Sequence, residues 1–533
     1  MKIKYFLLLF LICALQLQAQ RFDISSFTPD RKLNLAEGII ENYYVDSVDT
    51  EKVVEQAIIA MLKTLDPHSA YSTPEETRQL NEPLEGNFSG IGIRFQMLND
   101  TLYVIESVQG GPSEELGITQ GDRIIACNDT VIAGVKMKNT DIMKILRGPK
   151  GTVANLKVVR RGVKEPIEFR VVRRDIPINS VDAAFMADGT TGVIVLSRFA
   201  DNTLSEVEEA MQSLSKQGMK NLILDLTGNS GGYLRSAYEV ANIFLRKGDM
   251  LVYTDSPKLG MSEYRAPVSG PFLKGRVVVM VDQYSASAAE IVAGAIQDND
   301  RGVIVGRRTF GKGLVQRPFP FPDGSMIRLT VARYYTPSGR CIQKPYTDGD
   351  DKDYSGDIQH RYSTGELMNA DSAYHFADSL LYHTIRNHRP VYGGGGIMPD
   401  RFVGLDTTFF TPWYRDVVAK GLLNKFCVNY VEANRASIKA RYKDAKSFVD
   451  KFVVTPEIIG ELIEMAREEG VEPVPEQLER SEAYTAGIVK GVIGRDIYGQ
   501  DTYYMSVYGG NPVFEEALKI INSPELYNSL LGY

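Results

Sequence analysis

Histidine and cysteine are both scarce here: 533 residues contain five of the first, four of the second and a single tryptophan. His68 falls in an N-terminal stretch that reads as helical. His360, His375, His383 and His388 all fall in one polar stretch. None ends a predicted strand, which removes the usual base of a Ser-His-Asp triad, and the GxSxG elbow is missing too. Cys127, Cys341 and Cys427 are far apart and odd in number once Cys13 in the leader is set aside, which argues against a disulfide framework. No CxxC or HExxH occurs, which argues against a zinc site. No GxxxxGKS/T occurs, which argues against a phosphate loop. The net charge of -7 carries no basic excess, so nothing points to nucleic acid.

Long apolar runs are also missing beyond the N-terminus. There, Lys2 and Lys4 precede the apolar run 5–15, and Leu17-Gln18-Ala19 offers a small residue before a cut. This pattern predicts a secretory signal peptide over residues 1–19. The run is shorter than the ~18 residues a membrane span needs. Bulky Ile12 before Cys13 argues against a lipoprotein signal. The expected mature chain is exported, periplasmic by preference, and does not span a membrane.

A chain of this length needs several cores. Residues 20–81 read as an N-terminal helical segment, with LNLAEGIIENYY and EKVVEQAIIAMLKTL apolar at helical spacing and a break at Leu65-Asp66-Pro67. Residues 82–175 switch to short alternating runs such as TLYVIESV and ANLKVVRR, a small β-rich module with one helix near NTDIMKILR. Residues 176–405 alternate strand and helix, which predicts an α/β core with a partly parallel sheet. Within it, 346–390 is polar and reads as a surface insertion. Residues 406–533 are again helical and are expected to pack as a unit of their own.

The chemistry concentrates in VVVMVDQYSASAAEIVAGAIQDNDRGVIVGRRTFGKGLVQ, residues 277–316. A serine is a poor nucleophile until a base takes its proton. Lysine serves when neutral, and burial lowers its pKa. Phe310-Gly311-Lys312-Gly313-Leu314 supplies apolar neighbours and glycines that let backbone pass close by; the plainer reading is a surface lysine in a turn. Ser287 stands at the mouth of a helix predicted from Ala288, whose free N–H groups can face a developing oxyanion. The plainer reading is a helix N-cap, a role for which Ser285 is the better candidate. Gly231 and Gly232, in LDLTGNSGG, are either a second source of donors or an ordinary strand-to-helix turn. The SxxK match at Ser213-Leu214-Ser215-Lys216 reads as a solvated helix face.

YSASAAEI followed by GKG resembles the carboxy-terminal processing peptidases, or tail-specific proteases, of serine peptidase family S41. The resemblance makes Ser287 the nucleophile, Lys312 the base and Gln316 the residue that orients its amine. It makes Ala288 with Gly231 or Gly232 the oxyanion hole, and Asp298 a supporting carboxylate. LDLTGNSGG departs from the family pattern in having Thr227 where arginine is usual. LDPHS (65–69), FSGIGI (88–93), LRGPKGT (146–152), TPSGR (336–340) and GIMPD (396–400) extend the likeness to roughly residues 30–405. It implies a crotonase-like α/β peptidase core with an inserted PDZ domain, in which Gly90, Ile91 and Gly92 form the loop for a peptide carboxylate. Substrates would be proteins or peptides with accessible C-terminal tails, and no metal or nucleotide cofactor is implied. The helical extension would be a candidate interface for a homo-oligomer. The alternative is a non-catalytic PDZ-type peptide-binding scaffold; no signal for coenzyme A accompanies the core.

Overall fold

The computed structural model describes residues 28–108, 110–349, 352–370 and 377–533. The expected leader lies outside the described residues, as do His375 and part of the acidic run near residue 350.

Four short runs of aliphatic residues make the centre of the main sheet. Thr191–Leu196, Asn221–Asp225, Val277–Val281 and Val303–Gly306 are buried along their whole lengths, as strands covered on both faces must be. They pair in parallel in that order, with Val181–Met186 antiparallel at one edge and Arg401–Phe402 parallel at the other. Helices Thr203–Lys216, Leu234–Asn242 and Ala288–Asp298 cover one face, where Ile194, Leu224, Val279 and Val292 share a core.

The opposite face is covered from the far end of the chain. Phe514, Ala517, Ile520 and Ile521 of helix Pro512–Asn522, with Tyr527 beyond it, pack on Val193, Ile223, Val278 and Met280. The expected independent extension is therefore split. Residues from Trp413 to Ile497 have a core of their own, built on Phe426, Phe448, Leu462 and Ile493. From Tyr508 onward the chain belongs to the main sheet. The reason is that a parallel sheet with two apolar faces needs two covers, at about 1.5–3 kcal/mol for each large apolar side chain buried.

A second sheet stands beside the first. Its long strand Met326–Tyr335 pairs with Leu314–Pro320, Met250–Asp255 and Ala70–Ser72. The last of these corrects the helical reading of the N-terminal segment. Helix Thr50–Lys63 stops before the Pro67 break, and the chain then adds this strand and a new helix, Pro74–Glu85, started by a Thr73–Glu76 capping box. That helix walls one side of a cleft through Leu80 and Leu84.

The β-rich module folds around Leu102, Ile124, Leu156 and Val171, with helix Asn139–Leu146 on its sheet. The 346–390 stretch is not simply a surface insertion. Its helix Lys352–Ser363 buries Tyr354 and Arg361 against the core, where Arg361 donates to Thr309 O at 2.8 Å.

Candidate active site

Two turns are joined beneath the cleft. Asp282, just past strand Val277–Val281, accepts the N–H groups of Tyr284 and Ser285 in its own turn and of Gly228 in the other, at 2.9, 3.1 and 3.0 Å. Ser285 Oγ donates to Leu226 O at 2.7 Å, and Ala286 N–H to Asn229 O at 2.9 Å. Ser285 thus ties the turns together rather than capping the helix. The residue before the helix is Ser287, at φ +55° and ψ -113°. Such a backbone costs a non-glycine residue on the order of 1–3 kcal/mol and persists only where surrounding bonds enforce it. Gly231 lies directly alongside: a Cβ there would sit 2.8 Å from Ser287 Cβ.

Backbone donors converge at this spot. The Gly231 N–H is already bonded to Asn229 Oδ1 at 2.9 Å. The N–H groups of Gly232 and Ala288 make no hydrogen bond among the described residues. Gly232, at φ +148°, also passes so close to Phe199 O that any side chain there would collide with it.

Lys312 reaches the same cleft from the turn before strand Leu314–Pro320. The glycines around it do permit close backbone approach, since a Cβ on Gly311 would lie 3.1 Å from Gly396 N and one on Gly313 2.8 Å from Gln343 N. Lys312 Nζ donates to Gln316 Oε1 at 3.0 Å. Gln316 Nε2 in turn donates to His68 O. Burial, aided by the charge of Arg328, lowers the lysine pKa to about 8.

Three residues that sequence reading passed over hold this arrangement. Glu290, fully buried one turn into the Ser287 helix, accepts the N–H groups of Ser287, Gly311 and Lys312 and the hydroxyl of Thr309. Burial pushes its carboxyl up to about 7 against those four donors. The Tyr334 hydroxyl lies 2.6 Å from Lys312 O and 3.1 Å from Ser287 O, with one proton between them. His68 sits beside the lysine after all, but its ring faces Tyr354, with Nε2 2.7 Å from the phenol oxygen. Burial and the lysine charge hold the imidazole down to about 4, so it is neutral near pH 7. A signal for Glu290 was available: serine followed three residues later by glutamate is the capping-box spacing.

Ser287, Ala288, Lys312, Gln316, Gly231 and Gly232 all line one cleft of about 580 Å³. Its remaining walls include Leu84, Ile291, Leu314 and Met326. Asp298 is fully buried and pairs with Arg340 at 2.6 Å, a structural position away from the cleft. Ser213 and Lys216 are exposed on their helix.

In the β-rich module, Gly90 ends strand Asn87–Gly90. The N–H groups of Ile91 and Gly92 have no partner among the described residues. They stand at a small groove lined by Ile93, Phe95, Met143 and Leu146, between a strand edge and helix Asn139–Leu146.

The model of Peptidase family S41 matches residues 190–353, that of the PDZ domain residues 89–171, and that of a family of unknown function, DUF8443, residues 413–499. The chain is 35% identical over 322 residues to the carboxy-terminal processing protease CtpB of Bacillus subtilis (strain 168), covering 59% of this chain and 65% of that protein. It is 32% identical over 359 residues to CtpA of the same organism, covering 63% and 75%. Among solved structures, the photosystem II D1 C-terminal processing protease is 29% identical, covers 60% of this chain and 91% of that one, and has a TM-score of 0.33. The chain therefore belongs to peptidase family S41, the carboxy-terminal processing proteases, which are serine peptidases.

Proposed function

We propose that this protein is an endopeptidase that cleaves protein tails with a Ser–Lys dyad. Ser287 attacks the scissile carbonyl. Lys312, neutral when it acts, takes the hydroxyl proton and returns it to the leaving amine. Gln316 orients the amine. Of the candidate donors, Ala288 and Gly232 have N–H groups at liberty for the oxyanion, and Gly231 serves through Asn229 as the turn that places Gly232. The observation that carries this reading is a half-buried lysine with pKa about 8 in the same cleft as a serine forced into a strained backbone.

The PDZ domain holds the substrate's C-terminal carboxylate on the Gly90-Ile91-Gly92 loop and feeds the tail to the core, which we read as crotonase-like. It acts as a gate; equal rate and specificity after removal of residues 82–175 would sink that part. The Lys2-Lys4 leader pattern supports export, with a periplasm as the expected compartment. The helical extension is a candidate interface between copies of the chain.

The test separates catalysis from binding. Ser287→Ala and Lys312→Ala are each expected to abolish cleavage of unstructured tails while peptide affinity stays the same. Wild-type cleavage by either variant refutes the dyad. Loss of cleavage alongside intact binding also excludes a scaffold whose role is binding alone.

A further inference from the structure

The cleft that holds Ser287 and Lys312 also holds two arginines, Arg198 and Arg328. Both are half-buried, and the Nε of each is closed off from solvent with no partner. Neither guanidinium makes an ion pair or a hydrogen bond among the described residues. Deep arginines elsewhere in the chain behave differently. Arg308 pairs with Glu366 at 2.7 Å, Arg340 with Asp298 at 2.6 Å, and Arg389 with Asp300 at 2.8 Å. Taking a cation partly out of water with no anion beside it is costly, so an unpaired guanidinium in a cleft calls for an explanation.

Both line the cleft of the proposed reacting groups. Arg198 directly precedes Phe199, which hydrogen-bonds the Gly231–Tyr233 turn on both sides: Phe199 N–H to Gly231 O at 3.0 Å and Tyr233 N–H to Phe199 O at 2.8 Å. Arg328 lies two residues from Met326 on the same strand face, and its charge is felt by Lys312. Arg198 thus neighbours the residue bonded to the Gly231–Tyr233 turn, the Arg328 charge acts on Lys312, and both arginines line the same cleft.

We propose that Arg198 and Arg328 form a subsite for a substrate carboxylate close to the scissile bond, resting on the reading of Ser287 and Lys312 as the cleavage centre. The planar fork of a guanidinium matches a carboxylate through two parallel hydrogen bonds. The carboxylate comes either from an Asp or Glu side chain or from the free terminus of a short tail. The surrounding Leu84, Ile291 and Leu314 contact the apolar residues next to it.

The test uses the full chain and four peptides of one sequence: acidic residue or its amide isostere near the cleavage point, each with a free or an amidated C-terminus. In the wild type, kcat/KM is expected to favour the carboxylate by ~10-fold or more, the size of one charge-assisted hydrogen bond. That ratio is expected to fall toward 1 in Arg198→Met or Arg328→Met. A ratio is insensitive to the folded fraction, because every peptide meets the same protein. Discrimination that follows the isostere and is lost in the arginine variants assigns the subsite to a side chain. Discrimination that follows amidation and is lost in those variants assigns it to the terminus. Amidation sensitivity that both variants keep belongs to the Gly90-Ile91-Gly92 loop and counts against a terminal carboxylate at the arginines. Equal cleavage of all four peptides, or a ratio that survives both substitutions, overturns the proposal. Cleavage by Ser287→Ala with the ratio intact would instead overturn the nucleophile and leave the subsite standing.

Discussion

The N–H of Ser287 and the N–H of Lys312 end on the same oxygen, Oε2 of Glu290, at 2.8 and 2.9 Å. The carbonyls of the same two residues converge on the hydroxyl of Tyr334. Ser287 and Lys312, the proposed nucleophile and base, come from different turns, yet their backbones are tied on both sides by one carboxylate and one phenol. Such a network is worth more than its separate bonds because each member is buried and positioned by the others.

Glu290→Gln tests that tie. An amide has one acceptor oxygen and two N–H donors, so it cannot serve the four donors that Glu290 serves. We expect kcat/KM to fall by about 100-fold, the scale of an ångström-sized misplacement, and stability by on the order of 1–3 kcal/mol. Thermal unfolding and turnover of the same preparation check both; a folded variant with normal turnover would show that the shared carboxylate does not set the geometry.

Lys312 ties activity to pH with a definite sign. Its folded pKa of about 8 lies below the ordinary lysine value of 10.5, so the neutral base accumulates as pH rises. The rate is expected to climb through pH 7 and level off above about 8. Stability runs along with it. Below pH 8 the fold bears the full cost of a desolvated ammonium, and between 8 and 10.5 that cost disappears. Lys312→Met is therefore expected to be inactive yet more stable by on the order of 1–3 kcal/mol near pH 7, the gain vanishing above pH 10.5. Chemical denaturation at pH 7 and pH 10.5 decides: an equal difference at both values contradicts the shifted lysine.

The 346–390 stretch reaches the base through Tyr354. Its phenol bonds the His68 ring, and its ring packs edge-on against Phe310 beside the lysine turn. Tyr354→Phe is expected to lower kcat about threefold and Tyr354→Ala about tenfold or more, with KM nearly constant, because substrate contacts are untouched. Steady-state kinetics with a tail peptide read this out. An unchanged kcat in Tyr354→Ala would make the contact purely structural.

Tyr508 donates its phenol proton to the buried carboxylate of Asp225, which also accepts the Thr227 N–H at 2.7 Å where the turn leading to Gly231 and Gly232 begins. Burial pushes Asp225 up to about 6 even with this donor. Tyr508→Phe is expected to cost about 1–3 kcal/mol above pH 6, where the ionised carboxylate needs its donor, and less at pH 5, where the acid is protonated. Urea unfolding at pH 5 and pH 8 tests this, and equal losses at both would contradict it.

Much of the site was legible because it is local. Ser287, Ala288, Lys312 and Gln316 lie within thirty residues of one another, on a strand, a turn and a helix whose periodicity is plain. The strands of the core and of the PDZ domain could be read for the same reason. His68 falls in a segment that reads as helical and ends no predicted strand of the core, and only the pairing of Ala70–Ser72 with Met326–Tyr335 brings it to the lysine. Tyr354 looked like part of a polar surface because charged neighbours flank it in sequence. Ser285 reads as the helix cap in sequence, but its hydroxyl is bonded to Leu226 O across the two turns, a partner 59 positions away.

By itself the sequence determined most strand and helix types of the core and the order of the PDZ and peptidase modules, because these follow from short-range pattern. Its motifs, through their family resemblance, singled out Ser287, Lys312 and Gln316 as candidates. Only the tertiary structure decided what those groups experience. The lysine pKa follows from burial and from the charge of Arg328, the partners of Glu290 from two turns meeting, and the unpaired state of Arg198 and Arg328 from the absence of any carboxylate beside them among the described residues. The cover on the second face of the sheet comes from the last helices of the chain. Desolvation and long-range pairing depend on what lies nearby in space, and sequence order does not record that.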